Sequence, residues 1–334
     1  MTLPTELTVV SEAESAVDTS AVPGKAIEGR SLGRIAWTRL KRDKVAMVGA
    51  CIIVVIVLVA IFGPLINDAI GNQPDKFNSD LISDDTTLPL GGFGGSTGSH
   101  LLGVEPVNGR DILARLIAGT RISLMISLLS MVLSLVFGLA VGISAGFYRG
   151  AVDTILARVM DLLLAFPTLL FSIALLSIFN SSPSFLGMKG QTLNFVVLIF
   201  VIGFFGFPYL GRIVRGQVLS IREKEYIDAA RSLGASDWRL ITREVLPNLV
   251  GPVLVWMTLT IPSYILTESG LSFLGVGVQP PTSSWGQMLS SAGEFFSVDP
   301  TYLFWPGLTL FITVMAFNLF GDGLRDALDP KSGR

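Results

Sequence analysis

The chain has 334 residues, of which 50% are hydrophobic and only 15% charged, against about 25% charged in an ordinary soluble domain. Lys and Arg number 24 and Asp and Glu 26, a net charge of −2, which gives no electrostatic case for nucleic-acid binding and excludes a highly charged disordered protein. One cysteine, Cys51, and one histidine, His100, exclude a disulfide framework and a His/Cys metal cluster; the composition is that of an integral membrane protein.

In chain order, residues 1–30 open with Glu6, Glu12, Glu14 and Asp18 among many Ser and Thr, a composition that predicts a disordered tail. Residues 31–44 follow as an interfacial helix: Ser31 can cap it, Leu32, Ile35, Ala36 and Leu40 are apolar, Arg34, Arg39 and Lys41 are basic, and Trp37 suits the headgroup zone. The first uncharged stretch, Val45–Asn67, is a transmembrane helix rather than a cleaved leader, since it is long and lies behind a polar segment. Residues 68–121 form a loop, expected to be flexible around Gly91–Gly98, whose end (Gly109–Ile117) has the spacing of a surface helix turning into the second span. Five further uncharged stretches build a core over 122–321: Ile122–Tyr148, Leu162–Met188, Gly190–Gly211, Val245–Thr267 and Pro300–Gly321. Each is long enough to cross the hydrocarbon core as a helix. A seventh stretch, Ser269–Gly293, is rich in Gly and Ser, contains Pro280-Pro281, and reads as a loop or short re-entrant piece. A tail, 322–334, ends the chain. The fold predicted is an all-α membrane protein with six transmembrane helices.

Orientation follows from the basic residues. With the N-terminus in the cytoplasm, nineteen Lys and Arg fall inside and five outside, and the loop Glu268–Asp299 has none. Both termini are therefore expected in the cytoplasm. Within the second span Gly138, Gly142, Gly146 and Gly150 recur every four residues, a small-residue stripe for close helix packing in the same bundle. The pattern Gly142–Gly146 imitates a nucleophile elbow, but Ser144 lies inside a span and the only histidine is remote, so a hydrolase is rejected. No phosphate-binding G-x-x-x-x-G-K-[ST] motif occurs either.

The long polar segment 212–247 carries the most information. Ser220 and Glu223 form a capping-box pattern ahead of a helix through Glu225, Tyr226, Asp228, Ala229, Ala230 and Leu233. Gly234 suits its C-cap. After Ala235, Ser236 can cap a second helix through Asp237 and Trp238 that should stop before Pro247. A helix–Gly–helix elbow between two spans would be a rigid knob on the basic side of the membrane.

The run Asp228-Ala229-Ala230, three residues, Gly234, then Leu246-Pro247 after the intervening segment resembles the "EAA" motif of ABC-importer permeases, with Asp228 for the usual Glu and Glu244 where Ile is usual. Further stretches are similar to the C-type permeases of dipeptide/oligopeptide importers: Leu40–Gly49, Gly119–Leu124, Met160–Pro167, Glu268–Gly277, Pro280-Pro281 with Ser284-Trp285-Gly286, and Gly321–Pro330. His100-Leu101-Leu102-Gly103 also resembles a family motif, spaced one residue further from Gly109-Arg110-Asp111 than usual.

The resemblance implies a type I ABC-importer permease fold and a non-catalytic subunit forming half of a pathway for di- or oligopeptides. It implies a homologous B-type permease, one or two ABC ATPase subunits that hold ATP and Mg, an extracytoplasmic peptide-binding protein, a peptide substrate and the lipid bilayer as partners. No cofactor is expected in this chain and no nucleic acid. The elbow, Glu225 to Trp238, is the expected ATPase dock. Phe166, Pro167 and Glu268 are candidates for the substrate pathway, and Pro280, Pro281 and Trp285 for contact with the binding protein, with anchoring of Trp285 in the interfacial belt as the alternative. Related cargoes (a nickel chelate, glutathione, an antimicrobial peptide) stay open. A stand-alone secondary transporter would be expected to carry ionisable groups within its spans, whereas Asp161, Glu268 and Asp322 lie at span ends.

Overall fold

The computed structural model describes residues 32–181 and 184–329. The tail 1–30, the Ser31 cap and the last five residues lie outside them. Regular structure among the described residues is helical, apart from one 3-10 turn, one π-helical turn and isolated bridges. The helices are α1 (Leu32–Leu40), α2 (Lys44–Ile70), α3 (Ile112–Phe147), α4 (Ala151–Ala165), α5 (Thr168–Asn180), α6 (Gly190–Arg222), α7 (Glu225–Ser232), α8 (Asp237–Leu240), α9 (Leu246–Phe273), α10 (Trp285–Gly293) and α11 (Pro300–Leu328). Five are long and apolar enough to span a membrane, taking α8 and α9 as one, and the bent pair α4–α5 supplies the sixth.

The bundle centres on α3 and α6, which share its most extensive contact. The glycine stripe explains why. A Cβ at Gly138 would meet Leu210, one at Gly142 the Gly211 carbonyl and Val214, and one at Gly146 Val218, all within 2.7 Å. In lipid, where apolar burial alone does not drive helices together, such backbone proximity supplies the packing contacts. Gly150 is not part of the stripe. It precedes α4 with φ +80°, a conformation that turns the chain between α3 and α4.

Several expectations change in three dimensions. The surface helix foreseen at 109–117 does not turn into the second span; it is the first part of one continuous 36-residue helix, so the boundary expected at 122 falls inside α3. Asp111 starts that helix by accepting from Ala114 N at 2.7 Å, and its other oxygen pairs with His100 Nδ1 at 2.7 Å and accepts from Asn72 Nδ2 at 2.9 Å. The third span is broken: α4 and α5 meet at 81° around Phe166 and Pro167. The reason is local, since the residue before a proline disfavours helical backbone, and Phe166 is extended with ψ 136°. The Gly-rich stretch 91–98 is tied into the loop that holds it: Val104 N donates to Gly94 O at 2.9 Å, and a Cβ at Gly94 would sit 2.5 Å from Thr301 Oγ1 at the start of α11. The stretch 269–293 holds a helix, α10, started by Ser284 Oγ accepting from Gln287 N at 3.2 Å.

A buried polar cluster clamps the loop 71–111 to the bundle. Arg115 is fully buried; its Nη2 donates to Gln287 Oε1 at 2.9 Å and its Nε lies 3.3 Å from Glu105 Oε2. Glu105 also pairs with Arg110 and accepts from Tyr302 Oη at 3.0 Å. Four separate segments (the loop, α3, α10 and α11) thus meet on one carboxylate and one guanidinium. A charge buried this deeply persists only where partners compensate its desolvation.

At the other end of the bundle, α1 lies against the end of α11. Ala36 and Leu40 pack with Ala327, Phe320, Leu324 and Leu328. Trp37 remains 54% exposed, with Lys41 Nζ 4.9 Å from its ring centre.

Candidate functional site

The elbow, Glu225–Leu240, is exposed along most of its length. Its first helix, α7, does not begin with the Ser220–Glu223 capping box: Ser220 is inside α6, and α7 starts after Lys224, which offers no side-chain cap. The spacing matched a cap, but α6 runs two residues too far for Ser220 to occupy that position. Gly234 ends α7 with φ +81°. Ala235 N donates to Ala230 O at 3.1 Å and Gly234 N to Arg231 O at 3.0 Å, the paired bonds of a Schellman turn. Ser236 Oγ then accepts from Arg239 N at 3.4 Å to begin α8.

The second helix does not stop before Pro247. A π-helical turn, Ile241–Val245, joins α8 to α9, with Leu246 N donating five residues back to Ile241 O. The widened turn shifts the hydrogen-bond ladder just ahead of a residue that has no N–H to contribute and whose ring crowds the preceding turn. The result is one continuous helical span from Asp237 to Phe273.

Anchors and exposed groups are cleanly divided. Ile227, Leu240 and Val245 are buried in the core. Outward face Glu225, Tyr226, Asp228, Ala229, Gly234, Asp237 and Trp238, with Leu233 at 89% and Trp238 at 75% exposure. Ala230 and Ala235 are half-buried and line, with Leu233, Gly234 and Glu244, a hollow of about 320 Å³. The base is held by arginines that sequence inspection counted only as topology signals. Arg222 Nη1 donates to Gly146 O and Phe147 O, both at 3.0 Å, and Arg149 meets Glu223 at 2.5 Å. Arg215 binds Asp153 through two bonds of 2.6 and 3.0 Å, and Arg212 binds Asp161, bracing α4 against α6. The signal was present as two carboxylates eight residues apart and two arginines three apart, but nothing in sequence says which helices lie side by side.

A groove of about 1130 Å³ opens between α6 and α9 and reaches the end of α11. Its walls carry Tyr209, Gln217, Trp256, Thr260, Ser263 and Tyr264, and the ionisable groups lining it, Arg325 and Asp329, sit where α11 ends. Its back is rigid: Tyr264 Oη and Ser134 Oγ are 2.6 Å apart, and Ser134 Oγ donates to Gly203 O at 2.5 Å. Trp256 Nε1 is buried with no partner among the described residues. None of these residues stood out in sequence, because they are scattered among apolar runs.

The three pathway candidates are not in this groove. Phe166 is 44% exposed at the α4–α5 break beside the exposed Pro167 and packs edge-on against Phe171 at 5.9 Å; Phe171 in turn meets Phe205, which does line the groove, at 5.0 Å. Glu268 is completely buried and accepts from Ser272 Oγ at 2.8 Å and Ser269 Oγ at 3.3 Å. Its carboxylate is spent on holding the end of α9. Trp285 is corrected too. It is 0% exposed as the first residue of α10, with its backbone N donating to Ser123 Oγ at 3.2 Å. It is therefore neither a surface contact nor an interfacial anchor. Pro280 and Pro281 do lie on the surface.

Comparison with known proteins agrees with this architecture. Residues 138–334 match the family described as "Binding-protein-dependent transport system inner membrane component", and residues 31–81 match the "N-terminal TM domain of oligopeptide transport permease C". A glutathione transport system permease protein of Pectobacterium atrosepticum is 35% identical over 302 residues, covering 90% of this chain and 92% of that one. A dipeptide transport system permease protein of Alkalihalophilus pseudofirmus is 36% identical over 298 residues, covering 89% and 90%. Among solved structures, an inward-facing MetNI methionine ABC transporter aligns with TM-score 0.53 at 18% identity, over 65% of this chain and 98% of that one, a likeness of fold. The chain belongs to the family of binding-protein-dependent transport system inner membrane components, the multi-pass permease subunits of ABC importers.

Proposed function

We propose that this chain forms half of the transmembrane pathway of an ATP-driven importer for short peptides, and that its elbow is the dock for a separate ATPase subunit. The observation that carries this reading is mechanical. The elbow is continuous on one side with α6 and on the other with α9, and those two helices are the walls of the groove. A partner that pulls on Leu233 and Trp238 moves both walls together, without chemistry in this chain. ATP and Mg belong to that partner in this reading, and a homologous permease closes the open side of the groove. The elbow end faces the cytoplasm, as the excess of Lys and Arg there argues, and the loop 71–111 with Pro280 and Pro281 faces the extracytoplasmic binding protein.

Cargo follows from two supports. The groove walls offer hydroxyl, amide and indole groups without a charge until Arg325 and Asp329, which suits peptide backbones of varied side chains. The relatives named for dipeptide and for glutathione, itself a short peptide, resemble the chain equally.

The test is co-purification of the ATPase with Leu233→Asp and Trp238→Ala. Both side chains are exposed, so membrane insertion should be unchanged while ATPase recovery and peptide uptake fall about tenfold or more, as for an interface anchor of roughly 2 kcal/mol. Normal recovery with both variants would place the dock elsewhere.

A further inference from the structure

At the end of the bundle opposite the elbow, a cavity of about 380 Å³ lies between α2, α3 and the segment before α10. Its depth in the membrane follows from the sequence. The uncharged stretch of α2 ends at Asn67 with Asp68 next, and that of α3 begins at Ile122 with Arg121 just before it. All four residues line the cavity, so the charge boundaries of two neighbouring helices coincide there. That is the level of lipid headgroups.

Two groups at this level lack partners. Arg121 is exposed and makes no hydrogen bond or ion pair among the described residues. Asn67 is 5% exposed; its Nδ2 donates to Ala114 O at 3.1 Å, while its Oδ1 is buried with no donor. A guanidinium facing the headgroup layer is matched by phosphate, which it can bind in bidentate fashion. A buried carbonyl oxygen without a donor costs about 1–3 kcal/mol until something supplies one. Two carboxylates, Asp68 and Asp75, share the cavity, and Asp75 is only loosely held by Arg115 at 3.7 Å. One cation and two acids, with an unpartnered acceptor buried in the wall beside them, describe a zwitterion with N–H donors. Choline has no N–H to donate to the carboxylates, and a glycerol headgroup brings no positive charge for the acids.

We propose that this cavity binds the headgroup of an aminophospholipid of the phosphatidylethanolamine class, with its phosphate on Arg121 and its ammonium between Asp68 and Asp75, beside Asn67. A lipid held there ties the peripheral helix α2 to the core helix α3, beside the close approach where a Cβ on Gly63 would be 3.0 Å from Ile117 Cγ2.

The experiment places a photoreactive benzoylphenylalanine at Ala118, which lines the cavity, in the complex purified with its partner subunits. The complex is reconstituted in vesicles of equal phosphatidylethanolamine and phosphatidylcholine, irradiated, and its adducts are weighed by mass spectrometry. The expected adduct is phosphatidylethanolamine, in clear excess over its share of the bilayer. Arg121→Gln should lower its yield about tenfold, the loss of one charge-assisted hydrogen bond, and Arg121→Lys should restore much of it. Recovery of the intact complex with both variants checks folding. Adducts in bilayer proportion, or a yield unchanged by Arg121→Gln, would overturn the proposal in favour of ordinary boundary lipid. Loss of the adduct on adding inorganic phosphate would overturn it in favour of a soluble anion.

Discussion

Individual positions in this bundle differ sharply in what they tolerate, and hydropathy does not show which. Gly206 and Gly216 are both in α6, ten residues apart. A Cβ on Gly206 would lie 1.7 Å from Tyr264 Oη, whereas one on Gly216 meets nothing within 4 Å. Gly206→Ala must push Tyr264 away from Ser134 and is expected to destabilise by about 1–3 kcal/mol. Gly216→Ala should be neutral or stabilise slightly, by up to about 1 kcal/mol, because it removes backbone freedom from a helix interior. Thermal unfolding of the two variants in the same detergent checks this: a lower midpoint for the first only. Trp285 makes the complementary case. As the largest fully buried side chain, its removal leaves a cavity costing about 3–5 kcal/mol. Trp285→Ala should therefore reduce the amount of assembled protein in the membrane. Normal assembly with a selective loss of ATPase stimulation by loaded binding protein would mean that the tryptophan acts at the surface after all.

Among the elements, the pair α4 and α6 tests how the elbow is braced. Asp153 and Arg215 are a quarter and a third exposed, so their bidentate contact contributes no more than about 1 kcal/mol to stability. Its larger effect is on geometry, because α4 has few other ties near that end. Asp153→Arg and Arg215→Asp should each leave the fold intact and weaken coupling between ATP hydrolysis and uptake. The double exchange should recover a good part of it. Transport per ATP hydrolysed is the measurement, and no recovery in the double variant would show that the contact is incidental. The broken span was not legible as a break, although Phe166-Pro167 was visible: prolines also occur inside α2, α6, α9 and α11 without ending them. Neighbouring helices and local widening decide whether a proline kinks or terminates.

For the molecule as a whole, the two ends differ in how they are held together. The elbow end is built from partly exposed arginines on carboxylates and the buried Arg222 on two carbonyls; the opposite end is locked around the buried Arg115 and Glu105. A knob on one end and a clamp on the other suits a machine whose groove walls pivot. Sidedness is checked by cysteine labelling after Cys51→Ser. Ser232→Cys, on the exposed elbow, should react with an impermeant maleimide only from the cytoplasmic side, and Ser297→Cys, exposed between α10 and α11, only from the other. The reverse pattern would invert the proposed topology.

Six spans, a short helix ahead of the first of them, the glycine stripe and the Gly234 break were all readable in the chain, because each depends on local rules: an uncharged stretch of sufficient length, a four-residue period, a left-handed cap. The family was readable for a similar reason, as its motifs are contiguous. Tertiary structure alone decided which polar residues are inside. Arg115 and Glu268 are both at the edge of apolar runs and look like span-end charges, yet both are 0% exposed because distant segments fold over them. It also decided that Trp285 is core and that the groove lies between α6 and α9 rather than at Phe166. Burial and adjacency depend on pairing segments more than a hundred residues apart, as Arg115 with Gln287 and Glu105 with Tyr302 do, and no periodicity within one helix encodes its neighbour.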